Sequence, residues 1–139
     1  MTAGPETGPV QTQAILGDED VVRVRQLVRT RAVAAKLSLV DQTKLVTAAS
    51  ELARNTLVYG GGGEAEVTVV DNGRRRGVRV AFVDDGPGIA DLDLALTDGY
   101  TTGGGLGLGL SGARRLVDDF EIETAVGRGT RITVTKWSR

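Results

Sequence analysis

Between Gly103 and Leu110 the chain reads Gly-Gly-Gly-Leu-Gly-Leu-Gly-Leu, a glycine density that the interior of a helix or strand does not tolerate. Flexible linkers set glycine among polar residues, whereas here its partners are leucines. Glycine lets successive backbone N–H groups turn inward around an anion. The residues after Gly107 read as a helix, whose N-terminus brings a positive dipole end to the same place. Upstream lies a second glycine-studded segment, Asp84-Asp85-Gly86-Pro87-Gly88-Ile89. Two such segments, one headed by a carboxylate and preceded by a Glu/Asn pair, point to a nucleotide site.

Several chemistries are excluded. The 139 residues contain no histidine, which removes imidazole bases, phosphohistidine and His-ligated metal from this chain. No G-x-x-x-x-G-K-[ST] loop occurs, nor do the H-R-D and D-F-G segments of eukaryotic-type protein kinases. Phosphate chemistry must therefore rest on carboxylates, amides and metal. A net charge of −1 favours neither nucleic acid nor a membrane surface as a general partner. No apolar run approaches the roughly 20 residues that span a bilayer. Residues 1–12 lack the basic start and apolar stretch of a signal peptide. With no cysteine as well, the expected location is the cytoplasm.

The chain reads as one domain, 13–139, behind a flexible tail, 1–12. Gln13 to Gly17 is a short strand. From Asp20 to Leu37, Val21, Val24, Leu27, Val28, Ala32 and Ala35 recur at helical spacing. Asp41 is placed to cap a second helix reaching about Tyr59, with Leu45, Ala49, Leu52, Thr56 and Tyr59 on one stripe and Gly60 to Gly63 stopping it. Ala65 to Val70 and Gly77 to Asp84 are strands around a polar loop, Asp71 to Arg76. A loop from Ala90 to Gly105, with one helical turn at Leu92 to Leu96, precedes a third helix marked by Leu106, Leu110, Ala113 and Val117. Phe120 to Val126 and Gly129 to Trp137 form a hairpin turning at Gly127-Arg128. The expected class is α+β, a two-layer α/β sandwich with three helices on one face of a mainly antiparallel sheet of four or five strands.

Glu51 and Asn55 are four apart on the second helix and share a face. The amide oxygen can hold Mg²⁺ while the carboxylate accepts a nucleophile's proton. Taken singly, the pair is also what an amphipathic helix shows to solvent. Asp84 at a strand end can accept the exocyclic amine of adenine, with Gly86 and Gly88 leaving room for the ring; alone, the segment is equally a Pro/Gly turn.

In combination, the order and spacing of these segments resemble the Bergerat-type ATPases, the superfamily of gyrase B, Hsp90, histidine kinases and MutL. Glu51 and Asn55 match its N box, Asp84-x-Gly86-x-Gly88 its first glycine box, Gly105-x-Gly107-x-Gly109 its second, and Gly129-Thr130 its terminal G-T element. Within the superfamily, Ser50 to Asn55, Gly99 to Gly104, Gly105 to Leu110 and Gly129 to Trp137 are similar to the RsbT-type switch serine/threonine kinases. That likeness runs from about Gln13 to the C-terminus.

The resemblance implies the Bergerat fold, with ATP and Mg²⁺ as cofactors. Asp84 and Thr130 then read adenine, Asn55 is the metal ligand, and Glu51 is the catalytic base. Gly86, Gly88, Ile89, Thr102, Gly103, Gly104, Gly105, Leu106, Gly107, Leu108 and Gly109 line the nucleotide. It also implies phosphorylation of Ser or Thr on STAS-domain proteins of a stressosome-like complex, and activation of a PP2C-type phosphatase by the released kinase. An anti-sigma factor or nucleotide-gated binding module with the same ATP site is the alternative, and related small kinases include homodimers. A free-standing ATPase is disfavoured, since no transducer domain follows. No Lys or Arg lies between Ala90 and Thr102, which leaves Arg54 or Arg114 to approach the γ-phosphate.

Overall fold

The computed structural model describes residues 8–89 and 109–139. Its elements are β1 (Gln11–Ile15), α1 (Asp18–Ala34), α2 (Leu39–Val58), β2 (Gly63–Asp71), β3 (Arg76–Asp84), α3 (Gly109–Leu116), β4 (Asp119–Ala125) and β5 (Gly129–Trp137). The strands form one sheet in the order β1-β2-β3-β5-β4, and each of its ladders is antiparallel. The expected two layers are present.

Alternation along the strands decides the faces. Ile15, Ala65, Val67, Val78, Val80, Phe82, Ile132 and Val134 point one way and form a core with Val24 and Val28 of α1, Leu45, Leu52 and Ala53 of α2, and Leu110 and Ala113 of α3. The other face, with Glu66, Thr68, Arg79, Arg131 and Thr133, carries no helix among the described residues. Helix α2 is central: it packs against α1 and α3 and touches β1, β2, β3 and β5.

Local chemistry shifts several expected boundaries. β1 begins at Gln11, inside the expected tail. α1 begins two residues early, where the Gly17 carbonyl accepts from Asp20 N (3.0 Å) and the Asp20 carboxylate accepts from Leu16 N (2.8 Å) and Gly17 N (3.2 Å). The Leu16 amide, then Arg23, hold the Asp20 carboxyl below the usual carboxylate range. This contact therefore stabilises the fold above the ordinary Asp pKa and is lost as pH falls through the lowered value. α1 ends before Leu37 because Lys36 takes φ +63° and Leu37 N turns back to Ala32 O (3.0 Å).

The cap of α2 is Ser38, not Asp41: Ser38 is extended and its Oγ accepts from Asp41 N (3.1 Å). Asp41 has another task. It is buried, at 3% exposure, and lies 3.7 Å from Lys136 Nζ and 3.2 Å from Arg139 Nε. Lys136, 4% exposed, also meets Asp118 at 3.3 Å. This ion cluster joins the start of α2 to the end of β5. Removing one member strands a buried charge, so Lys136→Ala is expected to lower unfolding free energy by about 3 kcal/mol in urea titrations; a change within 0.5 kcal/mol (roughly the surface-mutation range) would contradict the cluster's role.

Candidate functional site

The site is built on one row of the sheet. Ile15 pairs with Gly63, Gly63 with Asp84, Asp84 with Thr130, and Thr130 with Thr124. Directly opposed residues share a face, so all five point toward the helices. Asp84 stands at the centre of this row, half-buried, as the last residue of β3.

Helix α2 delivers the second group of residues. Buried Leu52, Ala53 and Thr56 seat it on the core. Glu51 and Asn55 fall at the border of that face, each half-buried, while Arg54 is exposed. The helix stops where expected: Tyr59 N (2.9 Å) and Gly60 N (3.2 Å) both donate to Asn55 O, and Gly62 N donates to Thr56 O (3.0 Å).

Gly60 then lies against Asp84. A β-carbon at residue 60 would sit 2.5 Å from Asp84 Cγ and 2.6 Å from its Oδ2, closer than any side chain allows. This contact brings the Glu51/Asn55 helix to the Asp84 carboxylate. Gly86 completes the corner, with its N–H donating to Asp84 Oδ1 (2.9 Å) and its backbone packed on that of Gly60. A carboxylate has about four lone-pair sites, so one amide leaves capacity for a ligand donor.

The rest of the first glycine segment is clasped to the β4–β5 hairpin. Gly88 has φ +78°, and a β-carbon there would lie 2.2 Å from Ala125 O, so two independent constraints require glycine. Gly127 N donates to Pro87 O (2.8 Å), and Ile89 N donates to Thr124 Oγ1 (2.9 Å). The Thr130 hydroxyl lies 2.9 Å from Thr124 Oγ1.

The structure thus brings Glu51, Asn55, Asp84, Gly86, Gly88, Ile89 and Thr130 to one end of the sheet–helix interface. Thr102 to Leu108, and the turn at Leu92 to Leu96, lie outside the described residues. Gly109 is the described member of the second glycine segment; it has φ +66° and stands at the start of α3, whose Leu110 and Ala113 are buried as the expected stripe has them. Arg114 is exposed on α3. Among the described residues no group of three or more carboxylates could hold a metal. A Mg²⁺ ion on Asn55 would take most of its oxygen ligands from phosphate and water, which suits its chemistry. A shallow depression of about 300 Å³ beside Glu66, Thr68, Arg79 and Thr133 lies on the opposite sheet face and is a separate feature.

Two contributors escape sequence reasoning. Gly60 reads there only as a helix stop, and Thr124 carries no signal.

The family described as histidine kinase-, DNA gyrase B-, and HSP90-like ATPase matches residues 40–138. The chain is 41% identical over 125 residues to the serine/threonine-protein kinase RsbT of Bacillus subtilis (strain 168), covering 90% of this chain and 94% of that one. It is 30% identical over 115 residues to an anti-sigma F factor of Clostridium novyi (strain NT), covering 76% and 80%. Among solved structures, the RsbU and RsbW domains of Rv1364c from Mycobacterium tuberculosis superpose with a TM-score of 0.66 at 21% identity, over 95% of this chain and 33% of that one. That last likeness speaks for the fold alone.

Gly60→Ala is expected to push the Asp84 carboxylate aside and weaken nucleotide binding at least about tenfold by calorimetry. Gly17→Ala, where a β-carbon meets nothing within 4 Å, should leave binding unchanged. Equal affinities in the two variants would contradict the Gly60–Asp84 contact.

Proposed function

The chain belongs to the histidine kinase-, DNA gyrase B-, and HSP90-like ATPases, within them to the RsbT-type serine/threonine kinases, and on that premise we propose how its own residues run phosphoryl transfer to a protein hydroxyl. The single observation that supports the site assignment is the Gly60 contact, which sets the Asn55 helix end against the Asp84 carboxylate.

Asp84 accepts from the adenine amine, with Thr130 beside it in register. Asn55 offers its side-chain oxygen to Mg²⁺, which when bound neutralises phosphate charge. The amides from Thr102 to Gly109 and the start of α3 hold the phosphates. Glu51, one turn before Asn55, takes the proton of the acceptor Ser or Thr hydroxyl as its oxygen bonds to the terminal phosphorus. The bond from that phosphorus to the β-phosphate oxygen breaks, and ADP leaves. Such transfer needs positioning and charge neutralisation more than covalent help, so a sparse set of side chains suffices.

The acceptors in this reading are STAS-domain proteins of a partner-switching module in the cytoplasm, and the released kinase activates a PP2C-type phosphatase. The similarity to a named RsbT supports it. No helix among the described residues is long and apolar enough to cross a membrane. A second reading, a nucleotide-gated anti-sigma factor, is favoured by the relative that carries that name.

Radiolabelled ATP, Mg²⁺ and STAS-domain proteins encoded nearby separate the two. Glu51→Ala should keep ATP binding while transfer to serine or threonine falls at least about a hundredfold; undiminished labelling would remove Glu51 as base. Asn55→Ala should weaken Mg²⁺–ATP binding on the order of tenfold or more by calorimetry, and an unaltered affinity would remove its metal role. Tight nucleotide-dependent binding of a sigma factor, with no labelled protein, would favour the second reading.

A further inference from the structure

Thr124 makes three contacts with one hydroxyl. Its Oγ1 receives Ile89 N–H at 2.9 Å, donates to the Gly129 carbonyl at 3.2 Å, and lies 2.9 Å from Thr130 Oγ1. A hydroxyl has one proton and two lone pairs. The amide can only donate and the carbonyl can only accept. The Thr124 proton therefore goes to Gly129 and one lone pair to Ile89. The remaining lone pair must receive the proton of Thr130. All three contacts hold together in this arrangement and in no other.

From this proton count we infer that Thr124, which stands outside the nucleotide, is a positioning residue that sets base specificity through Thr130. With its proton drawn toward Thr124, the Thr130 hydroxyl offers only lone pairs to a ligand. Its direct cross-strand partner on the same face is Asp84, which when ionised also only accepts. The row thus presents two acceptors side by side, and a base edge must answer them with N–H donors. The 6-amino group of adenine does so. In the same pose hypoxanthine sets its 6-carbonyl where adenine sets its amine, an acceptor against the Asp84 carboxylate, and its N1–H lies one position along the edge, so it pairs only by shifting out of that pose. Through Ile89, the same hydroxyl fixes the first glycine segment to β4, so the polarity and the placement of the pocket share one atom.

The inference rests on the reading that the base lies at Asp84 and Thr130, and the experiment separates the two. Binding of ATP and of ITP, which differs from ATP only along this edge, is measured by calorimetry with Mg²⁺ on the full chain and its variants. Thr124→Val keeps the shape and deletes the hydroxyl; it should shrink the ATP-over-ITP preference on the order of tenfold. Thr124→Ser keeps the hydroxyl and should restore the preference. Thr130→Val should lose it too, and the double variant should lose no more than Thr130→Val alone, since one residue acts through the other. If Thr124→Val folds poorly, Thr124→Cys replaces it in the cycle, since its thiol is a weak donor and acceptor, and an unaltered ratio there overturns the role equally. An unaltered ratio in Thr124→Val, or additive losses in the double variant, overturns the role of Thr124 alone. A wild-type chain that binds ITP as well as ATP overturns the base-site reading, and this inference with it.

Discussion

Asp84 has Gly60 against its carboxyl group, Gly86 donating to one of its oxygens and Gly129 packed on its carbonyl. A side chain at residue 60 would part the end of α2 from the sheet at this point. Because the approach is so close, the C-terminal end of α2, where Asn55 O accepts from Gly60 N, lies directly beside the strand end that bears Asp84. The rest of the sandwich supports that meeting. The core residues Leu45, Leu52 and Ala53 seat α2, Phe82 and Val80 shape the strand beneath it, and the Asp41–Lys136–Asp118 cluster ties the start of the helix to the far end of β5.

Main-chain geometry, more than side-chain variety, makes the site. One cross-strand row supplies Asp84 and Thr130, and a single helix turn supplies Glu51 and Asn55. The first glycine segment then closes on the β4–β5 hairpin through Pro87, Gly88 and Ile89. In the proposed reading few side chains are catalytic, and preorganised amides and one carboxylate carry much of the recognition. Glu66, Thr68 and Arg131 stand on the opposite sheet face, away from this row.

Much of this was legible in the sequence, and the reasons differ by element. Helical spacing located the three helices seen among the described residues, because their buried stripes are aliphatic. The strands showed by alternation, most clearly Val78, Val80 and Phe82. The first glycine box was legible because no regular element accommodates Gly86-Pro87-Gly88, and the structure clasps it to the β4–β5 hairpin. Boundaries were less so. A serine hydroxyl at residue 38 outcompeted Asp41 for the cap, and Asp41 was instead drawn into a charge cluster with residues almost a hundred positions away. β1 reached back to Gln11 because the ladder to Val67 extends that far. Gly60 and Thr124 were invisible for one reason. Their roles depend on contacts across the chain, Gly60 with Asp84 and Thr124 with Ile89, that no local pattern encodes.

The nucleotide base is expected to lie between the α2 terminus and the Asp84 row. Backbone amide shifts recorded while Mg²⁺–ATP is added to isotopically labelled protein test it directly. Gly60, Gly86, Ile89 and Thr130 should move together in one saturable transition, while Glu66 and Thr68 on the opposite face stay in place. Saturable shifts confined to the opposite face, with Gly60 and Gly86 unmoved, would contradict it.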